Sequence, residues 1–212
     1  MQPADVATTL GWAGAFLGIV LNVPQTWRSC AERQVAGLSP ASRWLAVLQS
    51  ATWLTYGLTG GGLVQIVTNA VCIVLHVAVL VALLVLAPAS RARRVLLPQL
   101  AASAAWLVLV AWSGTTGSVA VAPLAAACSV AYAVPQLVLL LTDTRATSGV
   151  SPLTTGLGVL SNTCWTLYGL LLGAPAVWLP SLLSLLAGVA TAVLLRPVPV
   201  RAFSSRELAL AA

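Results

Sequence analysis

The side chains with chemistry to offer stand inside stretches that are otherwise apolar. Gln49, Trp53 and Tyr56 are spaced by four and three residues, so a helix through them presents an amide, an indole and a phenol on one face. Ser161, Asn162, Trp165 and Tyr168 present a similar face later in the chain, and Asn69 and Ser181 follow each group at a comparable distance. Indole rings supply flat apolar surface, and amides and hydroxyls both donate and accept hydrogen bonds. Together they suit an uncharged solute with an apolar C–H face and a rim of hydroxyls, such as a pyranose. The acidic residues Asp5, Glu32, Asp143 and Glu207 stand outside these stretches, and no metal-binding or nucleophile constellation is visible. Neither catalysis nor a cofactor is therefore expected.

The elements that must position these residues follow from composition. The chain of 212 residues is 59% hydrophobic and 7% charged, with a mean hydropathy of +0.98; an ordinary soluble domain has roughly 25% charged residues. This is an all-α membrane protein, since spanning a bilayer takes about 20 apolar residues as helix. The uncharged runs Val6–Trp27, Trp44–Ser90, Val95–Thr142 and Ala146–Leu195 have room for one, two, two and two spans. Turn signals near the middle of the long runs, at Gly60-Gly61-Gly62, at residues 113–118 and at Gly173-Ala174-Pro175, divide them. Seven transmembrane helices are predicted, near 6–28, 41–59, 63–87, 95–113, 118–142, 151–172 and 176–196.

The net charge of +6 comes from ten arginines and no lysine. They fall in alternate loops and the tail, so they read as topology signals rather than as a nucleic-acid surface, and no nucleic-acid partner is expected. The arginine-bearing side is cytoplasmic by the positive-inside rule, which puts the amino terminus outside and the carboxyl terminus inside. Arginine without lysine points to a GC-rich, bacterial source and so to a plasma membrane. The first apolar segment has no basic region before it and is long enough to span, so it is read as helix one and not as a signal peptide.

One unit is used twice. W-L-T-Y-G-L from Trp53 returns as W-T-L-Y-G-L from Trp165, 112 positions on. Pro24-Gln25 returns as Pro135-Gln136, and Gly37-Leu38-Ser39-Pro40 as Gly149-Val150-Ser151-Pro152. Residues 6–88 and 118–196 are thus three-helix repeats, residues 95–113 a linker helix, and residues 197–212 a cytoplasmic tail. The odd crossing in the linker restores the second unit to the orientation of the first, giving parallel repeats in a 3+1+3 order. A function shared between two such units belongs at their interface.

Other polar or special residues have local readings. Proline removes a backbone hydrogen bond, so Pro24 and Pro135 are expected to kink their helices, and their repetition suggests paired hinges. Gln65, Asn69 and His76 lie in helix three, with 69 and 76 on one face; Asn69 is a site candidate. His76 is the one residue in the uncharged runs that titrates near neutral pH and so a candidate proton site, the competing reading being a neutral histidine bonded to a neighbouring helix. Cys30, Cys72, Cys128 and Cys164 have no zinc-like spacing and read as small packing residues.

These motifs together resemble the SWEET sugar facilitators, within the wider PQ-loop (MtN3/saliva-type) group. The resemblance rests on the two V-P-Q, the two G-[LV]-S-P, the two W-x-x-Y-G-L, and the asparagine a dozen residues after the first Tyr-Gly. It covers about residues 8–196. It implies that Trp53 and Trp165 stack on a sugar ring, that Asn69 bonds its hydroxyls, and that Gln49 and Ser161 adjust pocket size. It implies further that Pro24 and Pro135 are hinges near the cytoplasmic gate, with Gln25 and Gln136 beside them, and that Tyr56 and Tyr168 form the outer gate. Pro40 and Pro152 match the family's helix-two and helix-six prolines approximately. Ser181 stands where the family usually has a second asparagine, and Gly61 and Ala174 replace the charged partners of the gate tyrosines. Gly188 stands opposite His76, so the halves are unequal.

The expected function is facilitated transport of a small sugar, mono- or disaccharide, by alternating access, with uniport as the default. Export of an amino acid or other small polar solute, with or without proton coupling through His76, is the alternative within the group, and a seven-helix cargo receptor the alternative outside it. The expected partners are the sugar and the lipid bilayer; the oligomeric state is open, a homo-oligomer included.

Overall fold

The computed structural model describes residues 2–35, 40–86, 103–142 and 152–194. The described chain is helical: α1 (Pro3–Cys30), α2 (Pro40–Tyr56), α3 (Leu63–Leu86), α4 (Ser103–Gly114), α5 (Ser118–Thr142), α6 (Pro152–Leu171) and α7 (Pro175–Leu194). The loop motifs at residues 37–39 and 149–151, the start of the linker helix and the tail lie outside the described residues.

Local chemistry explains the ends. Pro3, Pro40, Pro152 and Pro175 each stand at the first position of their helix, where the missing N–H costs nothing and the fixed φ suits the turn. The Asp5 carboxylate accepts the backbone N–H of Gln2 at 3.1 Å, capping α1. A π-helical turn over Gly57–Gly61 ends α2, and the chain reverses through Gly60 and Gly62, at φ +126° and +94°. These left-handed conformations suit residues without a Cβ.

In each unit the third helix packs between the other two: α3 touches α1 and α2, and α7 touches α5 and α6. Across the units α1 packs on α6 and α2 on α5. The repeated Tyr-Gly step sets how close the packing inside a unit is. A Cβ on Gly57 would lie 2.9 Å from the Ile66 backbone nitrogen, and one on Gly169 2.7 Å from that of Trp178. α4 is pinned to α2 by two indoles: Trp44 Nε1 donates to Ser103 Oγ, and Trp106 Nε1 donates to Thr52 Oγ1 at 3.0 Å.

The outward surface is apolar, with Phe16, Trp27, Val74 and Val85 all more than 60% exposed. In water such a surface would aggregate; in lipid it is the expected exterior. Several buried hydroxyls are satisfied within their own helices: Thr52, Thr68, Thr166 and Thr191 each donate to the carbonyl four residues back. Among the described helices, three are long and apolar enough to span by themselves: Ala4–Cys30, Leu63–Leu86 and Pro175–Val193. α2 and α6 are less apolar because they carry the polar face described next.

Candidate functional site

A cavity of about 210 Å³ lies between the two units, and every residue expected to bind solute lines it. α2 contributes Gln49 and Trp53, and α3 contributes Gln65 and Asn69. From the second unit come Ser161, Asn162 and Trp165 of α6 and Ser181 of α7. Sequence reasoning did not single out Ser129, Val177, Pro180 and Ser184 as lining residues, although all four line the cavity, and it named Gln65 only as an intramembrane polar group. Val177 and Ser184 had a signal available, since they stand 112 positions after Gln65 and Cys72. Ser129 had none, because position and not type distinguishes it from other membrane serines.

Polar bonds at the level of the cavity tie the units together. Trp53 Nε1 donates to Ser129 Oγ at 2.8 Å, and Gln49 Nε2 donates to the same oxygen at 3.1 Å, joining α2 to α5. On the other seam Ser161 Oγ donates to the Gly14 carbonyl at 3.0 Å, joining α6 to α1. α1 approaches closely there: a Cβ on Gly14 would stand 3.2 Å from Cys164 Cβ and from the Trp165 ring. Within α3, Asn69 Nδ2 donates to the carbonyl of Gln65 at 2.8 Å and to its Oε1 at 3.1 Å. In α7 the equivalent Ser181 Oγ donates to the Val177 carbonyl at 2.8 Å.

The aromatic pairs repeat in detail. Trp53 and Tyr56 are edge to face with centroids 5.4 Å apart at 88°, and Trp165 and Tyr168 are so at 5.5 Å and 84°; each such pair contributes about 0.5–1.5 kcal/mol beyond its buried area. All four rings belong to one apolar cluster with Ala7, Leu10, Ala125, Ala174 and Val177. The tyrosines lie on the side of the tryptophans nearer the glycine turns. Among the described residues, no charged side chain lines the cavity.

The remaining candidates lie elsewhere. Pro24 sits in α1, exposed, and the helix continues through it to Cys30; beside it Gln25 Nε2 donates to Ser29 Oγ at 3.1 Å. Pro135 and Gln136 fall within α5, and their side chains lie outside what is described. Pro40 and Pro152 begin their helices. His76 is buried in α3, away from the cavity lining. Cys72, Cys128 and Cys164 are buried free thiols, and Cys30 is exposed. A larger groove of about 440 Å³ flanks α2, α4 and α5, but its lining, including Leu45, Leu48, Trp106 and Ala131, is predominantly apolar and offers a polar solute little to bind.

The fold and cavity are those of a multi-pass helical membrane protein built from two like units. The model of the PQ loop repeat matches residues 6–66. Over the whole chain the structure is similar to the 3.7 Å resolution structure of a eukaryotic SWEET transporter, with a TM-score of 0.79 and 17% identity, covering 92% of this chain and 97% of that one. No curated protein matches by sequence. Residues 6–66 thus match a PQ loop repeat, and the chain has the fold of that SWEET transporter, as its motifs led one to expect.

Proposed function

We propose that the protein is a facilitative transporter of a monosaccharide, carried by alternating access between the two three-helix units. The observation that supports this most is the convergence of two indoles, amides and hydroxyls on one uncharged cavity between those units. The cavity, of about 210 Å³, has room for several water molecules and suits a solute of hexose size.

In this reading Trp53 and Trp165 take the two ring faces, and Gln49, Asn69, Ser161, Asn162 and Ser181 take the hydroxyls. Tyr56 and Tyr168 are the outer gate, while Pro24, Pro135, Pro40 and Pro152, with Gln25 and Gln136, serve the hinge and the cytoplasmic side. The arginine-bearing end faces the cytoplasm of a plasma membrane. His76 is the lone titratable histidine and stands off the solute path, so transport is uncoupled from protons.

The test is a proteoliposome uptake panel of glucose, sucrose and several amino acids. The expected result is saturable glucose flux, little sucrose flux, and no change on collapsing the pH gradient or in His76→Ala. Amino-acid flux without sugar flux would overturn the reading, and glucose flux that follows the pH gradient and stops in His76→Ala would overturn uniport.

A further inference from the structure

The hydrogen-bond polarity of the cavity reaches further than its size. Ser129 Oγ accepts from Trp53 Nε1 at 2.8 Å and from Gln49 Nε2 at 3.1 Å, and donates to the Ala125 carbonyl at 3.0 Å. Its proton and both lone pairs are then committed, so this hydroxyl serves as a fixed acceptor for its neighbours and not as a ligand for solute. The consequence falls on Gln49 and Trp53. The indole N–H is occupied, and the carboxamide, held by its nitrogen, keeps Oε1 unbonded.

The same bias recurs around the cavity. Asn69 Nδ2 gives its hydrogens to the two oxygens of Gln65, at 2.8 and 3.1 Å, so its open atom is Oδ1. The hydroxyl protons of Ser161 and Ser181 go to the carbonyls of Gly14 and Val177, leaving lone pairs. Asn162 Nδ2 donates to the Gly158 carbonyl at 2.8 Å, leaving Oδ1. Donors do remain: Gln65 Nε2, Trp165 Nε1, the Ser184 hydroxyl and second hydrogens of Gln49 and Asn162. Lone pairs nonetheless outnumber them, and among the described residues no lysine or arginine lines the cavity.

We propose that this is an acceptor-rich site, set by Ser129 as a positioning residue, which takes protonated amino sugars alongside neutral hexoses and refuses uronates. The proposal rests on the reading of the cavity as a sugar site. A ring ammonium brings three donors to amide and hydroxyl oxygens and meets the faces of Trp53 and Trp165, whose quadrupoles attract cations. A carboxylate brings only acceptors and finds no positive partner, so its desolvation goes uncompensated.

The experiment is glucose counterflow in proteoliposomes, competed by unlabelled glucose, by glucosamine below the pKa of its amine, and by glucuronate. Glucosamine is expected to compete at least as well as glucose, and glucuronate about a hundredfold more weakly, the scale of a lost charge-assisted hydrogen bond. In Ser129→Ala the indole and amide N–H groups are released, and the preference for glucosamine over glucose should fall about tenfold. Ser129→Thr keeps the hydroxyl and should restore it.

Counterflow with glucose but without competition by glucosamine, or with equal competition by glucuronate, overturns the proposal and leaves the sugar reading standing. An unchanged preference in Ser129→Ala overturns the role of Ser129. Absence of any glucose counterflow removes the sugar reading and this proposal with it. The wild-type competition decides the acceptor bias even if the alanine variant fails to fold.

Discussion

The two walls of the cavity descend from one repeated unit and no longer match. At positions 112 apart, the first wall has Gln49, Gln65 and Asn69 where the second has Ser161, Val177 and Ser181. The indole of Trp53 is bound to Ser129, whereas that of Trp165 donates to no described residue. By contrast the aromatic pairs, the close Tyr-Gly approach and the helix order are nearly the same in both units. On the proposed reading, parts that open and close the two-unit bundle keep their symmetry because the units must move alike. Parts that face the solute lose it, because a sugar has no twofold axis and a single bound orientation needs unequal walls.

Breaking the tryptophans one at a time exposes the largest difference. Trp53→Ala removes a stacking face and the α2–α5 tie, and should lower hexose transport efficiency about a hundredfold; Trp165→Ala removes only the face and should lower it about tenfold. Initial uptake rates over a range of hexose concentrations measure both, and equal losses would mean that the bond to Ser129 is idle. The symmetric parts make the opposite prediction. Gly57→Ala and Gly169→Ala both force a Cβ to within 3 Å of the next helix backbone, and each should destabilise the protein by about 1–3 kcal/mol. Thermal unfolding in detergent reads this directly, and a gap between the two variants larger than that range would show that the units are not packed alike.

Much of this was legible in the sequence because lipid makes polar residues conspicuous. Gln49, Asn69, Ser161, Asn162 and Ser181 stood out against apolar runs, and the 112-residue repeat located the interface between them. Helix ends were readable where proline and glycine mark them, as at Pro40, Gly62 and Pro175. Ser129 was not legible, because its importance comes from α5 crossing α2 at that level, a contact between residues 76 and 80 apart in the chain. Nor was the direction of each hydrogen bond. Composition names amides as donors and acceptors alike, and only the folded neighbours decide which half of Asn69 or Gln49 remains for a solute.

The central proposal is that a sugar is held between these unequal walls. Equilibrium binding of radiolabelled glucose to the purified protein tests it most directly, comparing wild type with Asn69→Ala. The account predicts one saturable site per chain in the wild type and an affinity about tenfold weaker in the variant, as expected for one lost hydrogen bond. Saturable binding that is unchanged by Asn69→Ala would contradict it, because the sugar would then be held somewhere else.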